Sequence, residues 1–287
     1  LKHHISPKEL GRAVGASESS LKRWTDEGLL RAVRTAGGHR RIAIDEAVRF
    51  IRDTGLALVA PDAMGLPDLT GLVPVDAGLT PAQALAAAMI HGNAPRVRGL
   101  VLRAYLAGQT VAGLFDRLIT PALHDIGELW RHDAKGIFIE HRATSMCLDA
   151  INQVRSLLPP AAANAPLAIG AALSGDIYAI PSLMAAATLA ADGWREMNLG
   201  PDTPAASLLL AAHSARPRLV WVSVSTPHDD SELLRQLERL AGELSELNAR
   251  LIVGGRGAPG RLRHSNAHVA GSMSELAAYA AGIKSAT

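Results

Sequence analysis

The strongest constraint on the fold is a sequence rhythm that begins after Pro159-Pro160. Short apolar runs at Leu167–Ala172, Trp194–Leu199, Val220–Val224 and Arg250–Gly255 alternate with helical stretches at Ser182–Ala191, Pro204–Ala212, Ser231–Leu247 and Met273–Ile283. Strands that read as continuous apolar runs are buried on both faces, and helices between them supply the covering layers, so residues 161–287 are expected to form a Rossmann-like parallel sheet. Ligands of such sheets lie beyond the carboxyl ends of the strands. The loops there are Ser174–Tyr178, Gly200–Thr203, Ser223–Thr226 and Gly254–Gly257. Their small residues admit a large planar or phosphate-bearing ligand, and their hydroxyl and amide groups can orient it. A flavodoxin-like receiver without a cofactor stays open, although a phosphorylation site would call for acids clustered at one strand end, and none are found.

Upstream, the period changes to that of helices. Segments at about 81–92, 97–107, 110–132 and 134–158 predict a four-helix bundle over residues 80–160, with a break or kink at Pro121. Thr110–Ile119 buries one apolar stripe and leaves Asp116 and Arg117 wet. Residues 56–79, which contain Pro61, Pro67, Pro74 and several glycines, read as a linker.

Residues 1–55 form a third unit. Ser6-Pro7-Lys8-Glu9 has the cap, first-turn proline and third-position glutamate of a helix start, Gly15 permits a tight turn, and Leu21, Trp24 and Leu29 are expected to lock a second helix onto the first. Lys22 and Arg23 fall on the exposed part of that helix. Arg31–Arg41 reads as strand, glycine hairpin and strand, a wing carrying Arg34, His39, Arg40 and Arg41. Asp45 opens a third helix. The whole is a winged helix-turn-helix whose basic side chains would meet the backbone and base edges of double-stranded DNA. Charge follows the same division: residues 1–55 hold eleven Lys or Arg against seven Asp or Glu, a net +4, whereas the remainder carries a net −2. The excess lies where it can displace counterions from phosphate.

Composition removes other classes. At 48% hydrophobic and 20% charged the chain suits a soluble globular protein without a disordered tail. Its apolar runs fall short of the ~20 residues that span a bilayer, so a cytoplasmic location without membrane contact is expected. The single cysteine, Cys147, excludes an internal disulfide and a multi-thiolate site, and reads as buried apolar filling. His124, His132 and His141 lack compact metal-ligand spacing, so no protein metal ligand is assigned. No nucleophile, base and orienting group assemble into a catalytic set, which argues against an enzyme.

Lys22-Arg23-Trp24, Glu27-Gly28-Leu29 and Arg34-Thr35-Ala36-Gly37-Gly38-His39-Arg40-Arg41 resemble the MerR family of transcription regulators over about residues 4–54. That resemblance implies a two-fold or repeated promoter site read by a homo-oligomer, a dimer or tetramer; no long coiled coil follows residue 54. The order of reader, bundle and sheet resembles the cobalamin-binding photoreceptor regulators of the CarH/LitR type. Trp130 followed by nine residues and then Glu140-His141 matches that family's bundle signature, and Ser223-Val224-Ser225 with Gly254-Gly255 resembles its ligand-tail stretches. The resemblance implies that adenosylcobalamin sits with Trp130 above the corrin and Glu140 and His141 organising the upper pocket, and that light rearranges the bundle and releases DNA.

Two positions depart from the pattern. Asp176-Ile177-Tyr178-Ala179-Ile180-Pro181 stands where that family has an acidic residue, one residue, a histidine, two residues and a glycine. A phenol with a reference pKa of ~10 does not simply replace a neutral imidazole on cobalt. Arg131 stands where a histidine is expected directly after the tryptophan, and His132 follows one place later, a displacement of ~100° around a helix. Three readings therefore stand: a light-responsive regulator using adenosylcobalamin without a protein lower ligand, the same architecture holding a noncovalent linear tetrapyrrole such as biliverdin, and a chromophore-free regulator whose sheet is an interaction module. Candidate cofactor contacts are Trp130, His132, Glu140, His141, Asp176, Tyr178, Ser223, Ser225, Gly254 and Gly255.

Overall fold

The computed structural model describes residues 2–66, 69, 78–129, 134–226 and 230–285. It is multidomain, α and α/β, with a winged helix-turn-helix, a helical bundle and a Rossmann-like parallel sheet. Packing divides the chain into two units, Leu1–Thr110 with Arg117–Pro159, and Val111–Asp116 with Pro160–Thr287.

In the first unit, β1 (His4–Ile5) leads into α1 (Pro7–Val14). The expected cap forms: Glu9 N–H donates to Ser6 Oγ at 3.2 Å, and Glu9 Oε2 accepts from Ser6 N–H at 2.7 Å. After Gly15, left-handed at φ 67°, α2 (Glu18–Asp26) is capped by Ser17. The turn is tight enough that a Cβ on Gly11 would lie 2.8 Å from the carbonyl oxygen of Ala16, so glycine is required there. The wing follows as β2 (Val33–Arg34) and β3 (Arg40–Ala43), antiparallel, with β1 completing the sheet on the other side of β3. Next comes α3 (Ile44–Thr54), whose Phe50 ring lies 5.1 Å from that of Trp24. Leu21 is buried as expected, but Leu29 is 52% exposed and it is its neighbour Leu30 that is fully buried. Beyond α3, Val59 and Ala60 donate to the Ala13 carbonyl, and a 3-10 turn at Pro61–Met64 buries Met64.

The bundle is built from α4 (Pro81–Ile90), α5 (Ala94–Leu106), α7 (Thr120–Leu129) and α8 (Ala134–Arg155). A Thr80–Gln83 capping box starts α4. Buried Ile139, Ala143, Met146, Cys147, Ala150, Ile151 and Val154 recur at three- and four-residue steps and give α8 one apolar stripe. Between α5 and α7 run α6 (Val111–Leu114) and a single π turn, Phe115–Ile119. The break expected at Pro121 is absent: the helix continues through it, and the irregularity falls one turn earlier, where a wider turn accommodates a ring that clashes with the carbonyl four residues back.

In the second unit, β4 (Leu167–Ala172), α9 (Ala179–Ala191), β5 (Arg195–Asn198), α10 (Ala205–Ala215), β6 (Leu219–Ser223), α11 (Asp230–Glu246), β7 (Arg250–Gly254), β8 (Ala267–Ala270) and α12 (Met273–Ser285) form a doubly wound fold. The sheet is parallel with order β5-β4-β6-β7-β8. One face buries Ile169, Val220, Val222, Leu251 and Val253 under α10 and α11; the other buries Ala168, Trp221 and Ile252 under α9 and α12. Strand β8 is an addition to the sequence reading. Asp116, expected to be wet, instead accepts from the backbone N–H groups of Met273 and Ser274 at 2.8 and 2.9 Å and from Ser274 Oγ–H at 2.6 Å, capping α12. Among the described residues no helix is long and apolar enough to cross a membrane.

Candidate functional sites

The first site lies in the winged helix-turn-helix. The Ser17 cap and the glycine turn set α2 across α1, leaving Lys22 and Arg23 exposed. The wing is closed by Thr35 N–H to the His39 carbonyl at 2.9 Å, Gly38 N–H to the Thr35 carbonyl at 2.8 Å, and a left-handed Gly38. Register pairs Val33 with Arg41 and Arg34 with Arg40. An open cleft of about 440 Å³ results, in which Lys22, His39, Arg40 and Arg41 meet Lys8 and Ser19, with Glu18 as its one acidic wall. Arg23 and Arg34 are exposed but do not line it. Lys8 and Ser19 were missed because helix spacing alone does not tell that the start of α1 closes this cleft. Arg40 is three-quarters buried and paired with Asp26 at 2.9 Å.

The wing root is fixed to α3. Glu46 Oε1 accepts from Arg31 N–H at 2.8 Å and from Arg49 Nη2 at 2.6 Å, while Arg49 Nη2 also donates to the Leu29 carbonyl at 3.0 Å. Burial pushes the Glu46 carboxyl upward, but Arg49 and the Arg31 N–H outweigh it and hold the group below the ordinary carboxylate value.

The second site lies at the carboxyl ends of β4 and β6. Strand order reverses direction at this pair, so the loops leaving β4 and β6 diverge to opposite faces and open a crevice between them. Buried Asp176 spans it: Oδ1 accepts from Tyr178 N–H at 3.1 Å and Oδ2 from Ser225 N–H at 2.6 Å. Asp202 repeats the device, accepting from Gly175 N–H at 2.8 Å. The last row of the sheet pairs Ala172, Ser223, Gly254 and Ala270, all small. Ser223 and Ser225 hold buried hydroxyl oxygens with no hydrogen-bond partner, and a buried hydroxyl left so is costly unless a ligand or water completes it. Gly255 has φ 108°, and a Cβ there would lie 2.3 Å from the Val224 carbonyl oxygen, so the β6 and β7 loops approach as only glycine allows. Gly254 lies beside this approach, its carbonyl accepting from Val224 N–H at 2.8 Å.

Tyr178 precedes α9, 44% exposed, and neighbouring Ile177 is 72% exposed. The Asp176 carboxylate is engaged by backbone and does not orient the phenol. For a corrinoid, the small-residue row and orphaned hydroxyls fit a polar tail, and the β4 end offers a phenol rather than an imidazole. In the other unit, Glu140 and His141 are exposed on α8; Trp130, Arg131 and His132 lie outside the described residues. Among the described residues, no three His, Cys, Asp or Glu side chains gather as a metal site. Cys147 is fully buried, and burial pushes its thiol up to about 12.

Residues 81–155 match the family model described as B12 binding domain. The chain is 27% identical over 270 residues to the HTH-type transcriptional repressor CarA of Myxococcus xanthus, covering 89% of this chain and 88% of that protein. The monomethylamine corrinoid protein of Methanosarcina barkeri shares the fold at a TM-score of 0.53 and 19% identity, over 71% of this chain and 98% of that one. The chain is thus related along most of its length to a CarA-type repressor, with a B12-domain segment joined to a winged helix-turn-helix.

Proposed function

We propose that the chain is a light-responsive, cobalamin-binding transcription repressor that holds double-stranded DNA through α2 and the wing as a dimer or tetramer. The observation that carries it is the pair of buried, unpartnered hydroxyls, Ser223 and Ser225, at the crevice where the sheet changes direction. The B12-domain match and the relation to CarA support the same reading. Ser223, Ser225, Gly254 and Gly255 hold the polar tail, and Asp176 ties the β4 and β6 loops to each other. Trp130, His132, Glu140 and His141 are kept as further candidate contacts of the cofactor. Bound adenosylcobalamin supplies a cobalt–carbon bond that light breaks. Lys22, Arg23, Arg34, His39, Arg40 and Arg41 grip the DNA. The reading is that of a regulator and not of an enzyme.

The test is titration of the purified chain with adenosylcobalamin in the dark, followed by absorption spectra and DNA anisotropy before and after green illumination. A bound corrinoid spectrum and light-induced loss of DNA binding are expected. Absence of any spectral change on titration would overturn the reading. Tyr178, a half-exposed phenol at the position of the expected imidazole, favours a second reading in which the ligand is a noncovalent bilin such as biliverdin; a long-wavelength band on biliverdin addition would select it.

A further inference from the structure

Helix α3 is gripped at both ends. At its start, Glu46 and Arg49 hold the Arg31 N–H and the Leu29 carbonyl, the root of the wing. At its last turn, Arg52 leaves the reader altogether and reaches the bundle: one guanidinium nitrogen donates to the Tyr105 carbonyl, the other to the Gln109 carbonyl at 3.0 Å, and the guanidinium carbon lies 3.9 Å from the centre of the Tyr105 ring. Tyr105 is only 4% exposed. Its carbonyl belongs to the last turn of α5, where it also accepts from Gly108 N–H at 3.1 Å and where the helix carries its negative end. A planar cation that forks two such carbonyls and stacks on an aromatic face is more demanding of geometry than a surface ion pair.

We propose that Arg52 is a positioning residue through which the state of the bundle sets the attitude of the DNA reader. The two carbonyls that it spans flank the turn between α5 and α6, so a shift of α5 changes their spacing and opens the fork. Helix α5 packs against α8, the helix that carries Glu140 and His141. Helix α3 then acts as a lever, since its other end cannot move without moving Leu29, Arg31 and the wing that follows. The regulatory half of this inference rests on the ligand-responsive reading above; the mechanical half does not.

The experiment uses the full chain with spin labels at Glu27→Cys and Ser156→Cys, both exposed, while native Cys147 is buried and its thiol is held protonated. Distances between the labels are measured without ligand for Arg52, Arg52→Lys and Arg52→Gln backgrounds, and DNA affinity is measured with adenosylcobalamin in the dark and after illumination. A narrow distance distribution is expected with Arg52, a broad one with Gln, and an intermediate one with Lys, which cannot fork. The dark-to-light affinity ratio should fall by about tenfold in Arg52→Gln, the size of an ordinary coupling between sites. Tyr105→Leu, which removes the stacked ring but keeps the carbonyl, should fall between. An unchanged distance distribution in Arg52→Gln overturns the inference, as does an unchanged affinity ratio. Should the parent chain show no response to cobalamin or light, the ligand reading fails, and the distances still decide whether Arg52 holds reader to bundle.

Discussion

Asp26, the last residue of α2, places its Oδ1 2.9 Å from Nη2 of wing residue Arg40, so an ion pair ties α2 to the wing at a residue that lines the basic cleft. A phosphate entering that cleft must share or displace Asp26 as the partner of Arg40. Arg40→Ala should weaken DNA binding across related sequences and lower the slope of log affinity against log salt by ~1. Anisotropy at several salt concentrations measures the slope, and an unchanged value would remove Arg40 from the phosphate contacts.

Gly170 and Trp221 sit opposite each other on β4 and β6, and a Cβ on Gly170 would fall 2.0 Å from the indole Cδ2. The indole has nowhere to retreat: its Nε1–H donates to Ser182 Oγ at 3.0 Å, and Ser182 in turn donates to Asn198 Oδ1 at 2.8 Å. Gly170→Ala should therefore cost about 1–3 kcal/mol through overpacking, seen as a lower denaturation midpoint with DNA affinity of the folded protein unchanged.

The sheet domain was legible because buried parallel strands need apolar runs, and β4, β6 and β7 have them. Strand β8 was not, since Ala267-His268-Val269-Ala270 offers one branched residue and an exposed histidine at the sheet edge. The choice between Leu29 and Leu30 was equally closed to periodicity: α2 ends at Asp26, and beyond a helix end the 3.6-residue rule no longer says which side chain faces inward. Of the second site, sequence gave the loops through their small residues. It could not show that Asp176 spends both oxygens on backbone N–H groups, because that follows from the distance between two loops far apart in the chain.

The Glu9 carboxyl is drawn down to about 2, first by its hydrogen bond from Lys2 and then by the Ser6 backbone N–H. A carboxylate whose folded pKa is depressed stabilises the fold above its ordinary value and loses that contribution as pH falls. Stability of the reader should therefore drop between about pH 4.5 and 2, and Glu9→Gln should flatten this part of the profile. Chemical denaturation followed through Trp24 across that range is the measurement, and identical profiles would dismiss the carboxylate's part.

Cys147 is fully buried within the α8 stripe, and its thiol is pushed up to about 12 by burial. Maleimide should leave the native chain unmodified at neutral pH and react within minutes once denaturant is added. Rapid labelling of the native chain would show that the bundle opens readily around α8.

Asp116 belongs by packing to the sheet unit although some forty residues of bundle sequence separate it from Pro160. A sheet unit cut out at Pro160 would carry α12 with two bare amide groups at its amino end, and it would lose the α6 turn as well. Moving the sheet into another protein therefore means transplanting it together with the chain from α6 through the bundle helices that follow, and natural recombination would meet the same obstacle.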